Sequence, residues 1–315
     1  MNKQFLSDVD KGLSAQPKFL SSKYFYDEIG DKLFVEIMKM PEYYLFRAEY
    51  EIFKNQNKEI INSLNINQDS FFELIELGAG DGTKTKELLK ELVNQSYTFD
   101  YSPVDISQHA LDDLSENLKN EIPKLSVKPK QGEYFQVLDS IKNTQHPKVI
   151  LFLGSNIGNL MDNEAHNFLY RLGASLSKND KILLGVDLIK AREIVLPAYN
   201  DEAKITARFN LNLLNRINKE LGGNFDLNKF EHKPEYTEEE GIARSFLVST
   251  TKQDVYLKAK EKTYHFEEGE KIHTEISRKY NDKVLRGILD QTDFSILNHF
   301  TDSNQYFRDY ILNKD

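Results

Sequence analysis

The 315-residue chain contains no cysteine. Disulfides, thiolate-bound zinc, cysteine-bound iron–sulfur clusters and cysteine nucleophiles are thereby excluded. Positive charge is also in deficit. Lys and Arg total 41 against 50 Asp and Glu, a formal charge of −9. A general nucleic-acid binder wants a cationic face, so this balance argues against one. It does not exclude an anionic small molecule in a local pocket. Long apolar runs are missing as well. The longest, Val149–Leu153, has the length of a strand, far short of the ~20 residues of a membrane helix. The opening MNKQFLSDVDKGLSAQPK has no apolar run of signal-peptide length, so a cytoplasmic protein is expected. The 7 histidines are scattered, no H-E-x-x-H motif occurs, and no metal is expected. No internal repeat or low-complexity linker is seen.

The length suggests about two domains at ~150 residues each. Residues 1–45 read as helical and aromatic. Asp31 is a plausible cap for a helix from Lys32 to Met40, ended by Pro41. Residues 47–65 read as one helix with Tyr50, Phe53, Ile60, Ile61 and Leu64 on its apolar face. From about residue 71 short apolar runs alternate with helical segments. Strands are expected at 71–77, 99–104, 148–153 and 181–188, and helices at 86–93, 110–118 and 162–175. Such alternation indicates a parallel sheet, covered on both faces. After about 190 the texture changes. A long helix is expected over 191–220, then strands at 244–250, 256–265 and 273–280, the last two joined as a hairpin by Glu267-Glu268-Gly269-Glu270. A helix near 281–289 and strands at 294–300 and 306–312 close the chain. This second region interrupts the first, and the chain returns to finish the sheet.

Glu76-Leu77-Gly78-Ala79-Gly80-Asp81-Gly82-Thr83-Lys84-Thr85 lies between an expected strand and an expected helix. Glycines there permit a tight turn and close approach of a ligand to backbone, at the strand end where open sheets bind ligands. A sharp turn without a ligand is the bland alternative. The spacing is neither G-x-x-x-x-G-K-[ST] nor G-x-G-x-x-G. Asp105 ends the second strand, where a carboxylate can accept both ribose hydroxyls; it could equally cap the helix starting near Ser107. A cofactor with a ribose and no pyrophosphate fits best, and S-adenosylmethionine is such a cofactor. Lys84 stands at the start of the next helix and could be an ordinary surface lysine. Gly132-Glu133-Tyr134-Phe135 falls where a third strand could end. Glu133 could there accept the adenine amino hydrogens while the aromatics cover the ring.

Nine blocks in order carry a resemblance that spans nearly the whole chain. They are Lys23–Asp27, Pro41–Tyr44, Glu76–Thr85, Tyr101–Ser107, Phe152–Leu160, Ala198–Asp201, Phe209-Asn210, Phe230–His232 and Thr274–Ser277. With them the sequence resembles the S-adenosylmethionine-dependent histidine-specific N-alpha-methyltransferases of ergothioneine biosynthesis. The resemblance implies an α/β fold: a Rossmann-like class I methyltransferase sheet at 46–189 and 280–315. A second α+β domain would combine 1–45 with an insertion at 190–279 and bind the substrate. It implies cofactor contacts from Gly78, Gly80, Lys84, Asp105, Glu133 and Tyr134. Tyr43, Asn159 and Tyr199 would bind the substrate's amino-acid backbone, with Tyr26 near its amine. Glu275 and Ser277 would hold an imidazole. The implied product is the trimethylated betaine of L-histidine, hercynine. A monomer is expected because no coiled coil or repeat suggests assembly, and the net charge together with the substrate-side match favours a free small molecule over nucleic acid or membrane.

Taken alone, each tyrosine could be a half-buried core residue, Asn159 a helix cap and Glu275 a solvated strand residue. His265 and His273 read as structural. Ile242–Leu247 departs from the family, which resembles I-E-M-H-L there. Ser245 stands where the family carries a methionine beside the substrate side chain. Methylation of another free amino acid, or of a histidine derivative, is therefore the alternative expectation. A non-catalytic cofactor-binding protein and a macromolecular methyltransferase fit less well.

Overall fold

The computed structural model describes residues 3–142, 144 and 146–315. It divides into two units: Leu45–Ile189 with Arg278–Asp315, and Met1–Tyr44 with Lys190–Ser277.

The first of these is built on an eight-stranded sheet. Its central strands are Phe72–Leu77, Phe99–Asp105, Lys148–Phe152 and Lys181–Asp187. All four run parallel, with Phe72–Leu77 between Phe99–Asp105 and Lys148–Phe152. The short strands Ser126–Val127 and Lys130–Gln131 extend the edge beside Phe99–Asp105. Phe294–Thr301 and Phe307–Lys314 form an antiparallel pair at the other edge, Phe307–Lys314 lying antiparallel to Lys181–Asp187. This is the Rossmann-like class I methyltransferase sheet, and it explains the sequence texture. Each central strand is buried on both faces, so it must be apolar at nearly every position. Within Lys148–Phe152, Ile150 and Phe152 point into one core, while Val149 and Leu151 point into the other. Fully burying each such side chain contributes about 1.5–3 kcal/mol.

The helices of this unit lie at Tyr44–Asn55, Asn57–Leu64, Thr85–Asn94, Gln108–Glu121, Tyr134–Ile141, Asp162–Ala174 and Asp282–Leu289. The single helix expected over 47–65 is therefore two. Gln56 leaves the helical conformation (φ −128°) and its side-chain amide donates to the Thr301 carbonyl at 2.8 Å. Ser107 caps Gln108–Glu121 by accepting from the Ala110 N–H at 3.2 Å, and Asn281 caps Asp282–Leu289 in the same way at 2.9 Å.

The second unit is α+β. Its four-stranded sheet runs in the order Lys18–Phe19, Lys271–Arg278, Ile242–Ser249, Phe230–Thr237. Helices Lys3–Ser14, Glu28–Lys39 and Ile205–Leu221 enclose a core that includes Phe5, Phe25, Phe209, Leu213, Leu247 and Ile272. Several expectations need correction here. Asp27, not Asp31, caps the helix at Glu28–Lys39: its Oδ1 accepts from the Gly30 N–H at 2.8 Å and from the Asn212 amide at 2.8 Å. The long helix expected from 191 is broken. Arg192–Val195 and the 3₁₀ turn Leu196–Tyr199 precede a reversal at which Asp201 accepts from the Ile205 and Thr206 N–H groups, starting the helix afresh. The strand expected at 256–265 is two strands, Gln253–Leu257 and Lys262–Phe266, paired with each other. The turn at Glu267–Glu270 forms, yet it does not close a hairpin: Lys271–Arg278 pairs in the other sheet. Phe230–Thr237 is a strand that the sequence pattern did not reveal. No helix among the described residues is long and apolar enough to cross a membrane.

Candidate functional site

In the sheet unit, the strand Phe72–Leu77 ends in the glycine loop, and backbone shape explains its composition. Gly78, Gly80 and Gly82 have φ of +74°, +56° and +65°. This is the left-handed region, where a side chain costs roughly 1–2 kcal/mol. Their surroundings differ. A Cβ on Gly78 would meet the Tyr134 hydroxyl at 2.7 Å and the Asn156 amide nitrogen at 3.2 Å. At Gly80 nothing lies within 4 Å, so that turn faces open space. Beneath the loop, Glu76 is buried and accepts from Thr85 Oγ1 at 2.7 Å and from the Tyr101 hydroxyl at 2.5 Å. Burial pushes its carboxyl up to about 7, against the pull of those two bonds.

Lys84 precedes the helix Thr85–Asn94. It is not the surface lysine that its type alone suggests. Its ammonium is ion-paired with Glu49, a wholly buried carboxylate, and a Cβ on Gly154 would lie 3.6 Å from Lys84 Nζ. Asn156 flanks the same place. It belongs to the 3₁₀ turn Asn156–Asn159, entered through Ser155 at φ +57°. Asn159 is the last residue of that turn and is exposed.

Asp105 ends its strand half-buried. Its Oδ1 accepts from the Ser107 N–H at 2.9 Å, so it braces the turn while Ser107 itself is the helix cap. The Asp105 carbonyl accepts from the Gly132 N–H at 3.0 Å, which brings Glu133 alongside. Glu133 is exposed, and its side chain caps nothing although it precedes the helix Tyr134–Ile141. Tyr134 stands edge-on to Phe152, with ring centroids 5.9 Å apart. Burial, with the negative charges of Asp105 and Glu76, pushes its hydroxyl up to about 12, so it remains a neutral donor. Gly78, Lys84, Tyr134, Gly154 and Asn156 therefore surround one mouth at the strand ends, with Asp105 and Glu133 along the neighbouring edge. Glu49 and Asn156 were not singled out from the sequence. Asn156 lies within one of the nine blocks, Phe152–Leu160, but nothing marks Glu49 on its helix.

The α+β unit carries the other residues. Tyr26 and Tyr43 both stand edge-on to Phe34, at 5.5 and 6.4 Å between centroids. Tyr26 is 45 % exposed, so it is not a core tyrosine. Tyr199 is buried and closes the turn Leu196–Tyr199. Glu275 and Ser277 are two residues apart on one strand and share a face. Glu275 is half-buried, and its Oε2 accepts from the Ser245 hydroxyl at 3.1 Å. Ser245 is in turn fixed: its carbonyl accepts from Thr274 Oγ1 at 3.0 Å, and that hydroxyl also donates to Asn210 Oδ1 at 2.8 Å. His265 hydrogen-bonds through Nδ1 with Asp254, its exposed cross-strand neighbour in the two-stranded ribbon, at 2.5 Å.

A family profile described as "Histidine-specific methyltransferase, SAM-dependent" matches residues 5–314. The chain belongs to this family. Two curated relatives are named histidine N-alpha-methyltransferases. The chain is 34 % identical over 273 residues to a histidine N-alpha-methyltransferase of Mycolicibacterium smegmatis, covering 87 % of this chain and 83 % of the relative. It is 32 % identical over 295 residues to the one from Mycobacterium tuberculosis, covering 94 % and 90 %. A solved S-adenosylmethionine-dependent methyltransferase from Clostridium acetobutylicum aligns with a TM-score of 0.47 at 12 % identity, covering 90 % of this chain and 98 % of that one.

As a member of this family the chain is a methyltransferase, and its cofactor is S-adenosylmethionine. The sheet unit fits that cofactor. The loop at Gly80 is open to a ligand's approach, Tyr134 and Asn156 close over Gly78, and Glu133 has a carboxylate not used in capping.

Proposed function

We propose that this methyltransferase acts on the α-amino group of L-histidine, three times in succession, giving the trimethylammonium betaine. The observation that carries the reading is the Glu275 carboxylate. It is braced by Ser245 and shares its strand face with Ser277. A half-buried carboxylate favours a ligand that brings an N–H, as an imidazole does. An apolar side chain in its place would desolvate the carboxylate without offering it a donor.

S-adenosylmethionine supplies an electrophilic methyl group on a sulfonium. The chain's residues supply alignment and a suitable amine. In this reading the glycine loop at Gly78 and Gly80 admits the cofactor against backbone, and Lys84 pairs with its carboxylate. Asp105 accepts from the ribose hydroxyls and Glu133 from the adenine amino group, while Tyr134 covers the ring. Tyr43, Asn159 and Tyr199 hold the amino-acid carboxylate and amine of the substrate, with Tyr26 beside the amine. The reacting amine must be neutral. Tyrosine and asparagine can orient it without the anionic charge that would favour its protonated form. Before each attack the substrate ammonium must give up one proton, and the third transfer leaves a quaternary ammonium with no N–H.

Ser245 supports a second reading, a different free amino acid or a histidine derivative, because a small hydroxyl stands where the family carries methionine. Calorimetric titration with L-histidine and the other amino acids, in the presence of S-adenosylhomocysteine, separates the two. Selective histidine binding that weakens in Glu275→Ala is the expected result. Binding of another amino acid, with none of histidine, would overturn the proposal.

A further inference from the structure

Lys181–Asp187 reads Lys-Ile-Leu-Leu-Gly-Val-Asp, and every residue of it is buried. A glycine inside a central strand weakens it, and commonly marks a place where another group comes close. That group is a pair of acids. A Cβ on Gly185 would collide with Glu49 Oε1 and would lie 2.9 Å from Asp309 Oδ1. Glu49 comes from the helix Tyr44–Asn55 and Asp309 from the strand Phe307–Lys314, and both are 0 % exposed.

Their hydrogen bonding is unequal. Glu49 accepts from the Gly154 N–H with both oxygens, at 2.8 and 3.1 Å, and from the Lys84 ammonium. Neither Asp309 oxygen meets a donor among the described residues. Two bare carboxylates in contact away from water would repel strongly. One proton removes that repulsion and creates a bond. Since Glu49 already holds a cation and an amide, the proton belongs on Asp309. Burial and the adjacent Glu49 both favour that neutral form, pushing the Asp309 carboxyl well above the ordinary carboxylate range against the pull of Lys84.

We propose that Glu49 is a positioning residue for cofactor binding: a neutral Asp309 donates to its carboxylate, which fixes the Lys84 ammonium and the Gly154 amide at the mouth of the glycine loop. Lysine is a flexible point charge, so an anion behind it sets where its remaining donors point. Gly185 is the clearance that lets both acids reach the spot. The inference rests on the reading of Lys84 as a cofactor contact.

Infrared difference spectroscopy at pH 8, wild type minus Asp309→Asn, reads the proton directly. A neutral carboxyl carbonyl band is expected in the wild type. Its absence would overturn the proposal, and carboxyl NMR of the wild type labelled with carbon-13 aspartate reads the same proton without any variant. Calorimetry with S-adenosylhomocysteine then reads the positioning. Glu49→Gln is expected to weaken binding about tenfold in the native background and less than about twofold in a Lys84→Met background, the non-additivity of residues that act through one another. Equal losses in both backgrounds would overturn it, as would no loss in the first. Lys84→Met binding as tightly as wild type would remove the premise and the proposal together. None of these measurements uses histidine, so a failure of the substrate reading shows separately.

Discussion

The Ser245 hydroxyl donates to Glu275 Oε2 at 3.1 Å, and Thr274 pins the Ser245 carbonyl at 3.0 Å. Ser245 thus braces the carboxylate that the proposal assigns to the substrate side chain. Removing the hydroxyl should cost the acceptor one hydrogen bond, about 1.5–3 kcal/mol for a charged partner. Even the low end of that range is about a tenfold effect, so Ser245→Ala should weaken histidine binding at least about tenfold, and leave the affinity for S-adenosylhomocysteine unchanged. Calorimetry with each ligand checks both halves. Equal losses for the two would mean that Ser245 only supports the fold.

The glycines of the loop should not be equivalent. Gly80→Ala meets open space, so it should cost only the roughly 1–2 kcal/mol of left-handed backbone strain. Gly78→Ala carries the same strain and also drives a methyl group against the Tyr134 hydroxyl, 2.7 Å from the ideal Cβ. It should abolish measurable S-adenosylhomocysteine binding, while Gly80→Ala retains it. Comparable affinities for the two variants would contradict the assigned geometry.

That loop was legible in the sequence, and so was the sheet that carries it. Parallel strands buried on both faces leave nearly unbroken apolar runs, as at Val149–Leu153, and positive-φ turns ask for glycine. The α+β unit was less legible because its turns use other residues. Glu261 takes φ +51° between Gln253–Leu257 and Lys262–Phe266, and Lys204 takes φ +59° before Ile205–Leu221. Glu does not signal a turn, so the pattern over 256–265 shows one strand where there are two; at the helix break, Pro197 and the capping Asp201 are signals that the apolar periodicity of 191–220 overrides. Glu49 and Asp309 were invisible for another reason. They meet only because a helix and the last strand of the chain converge over Gly185, and a lone acid in either element looks like a solvated one.

Stability should fall in mild acid, and His232 should account for part of the loss. Burial lowers its imidazole from 6.5 to about 4, and its Nε2 has no hydrogen-bond partner among the described residues. The unfolded chain takes up a proton near the ordinary value, and the folded chain does so only near the lower one. This contribution is thus fully present above pH 6.5 and is lost progressively as pH falls toward 4. At about 1.4 kcal/mol per pKa unit the full contribution is roughly 3–4 kcal/mol, of which about 2 kcal/mol is lost between pH 8 and pH 5. Thermal unfolding should show a smaller difference between pH 8 and pH 5 in His232→Gln than in the wild type. An unchanged difference would contradict the assignment.

Glu76 should act in the opposite direction. Its carboxyl is raised from 4.5 to about 7, so the folded state holds a proton that the unfolded state releases. Stability from this group is present below pH 4.5 and is lost as pH rises through 7. Glu76→Gln, a neutral isostere, should therefore gain on the wild type as pH rises from 5 to 8, by roughly 2–3 kcal/mol. Thermal melts across that range would show it, and a gap that does not widen with pH would count against it.

The central claim is the identity of the methyl acceptor. The most direct test is mass spectrometry of the products formed from L-histidine and excess S-adenosylmethionine, with fragmentation to locate the added groups. The account predicts mono-, di- and trimethylated histidine in sequence, all carrying their methyl groups on the α-nitrogen. Unmodified histidine, beside methylation of another amino acid offered under the same conditions, would contradict it.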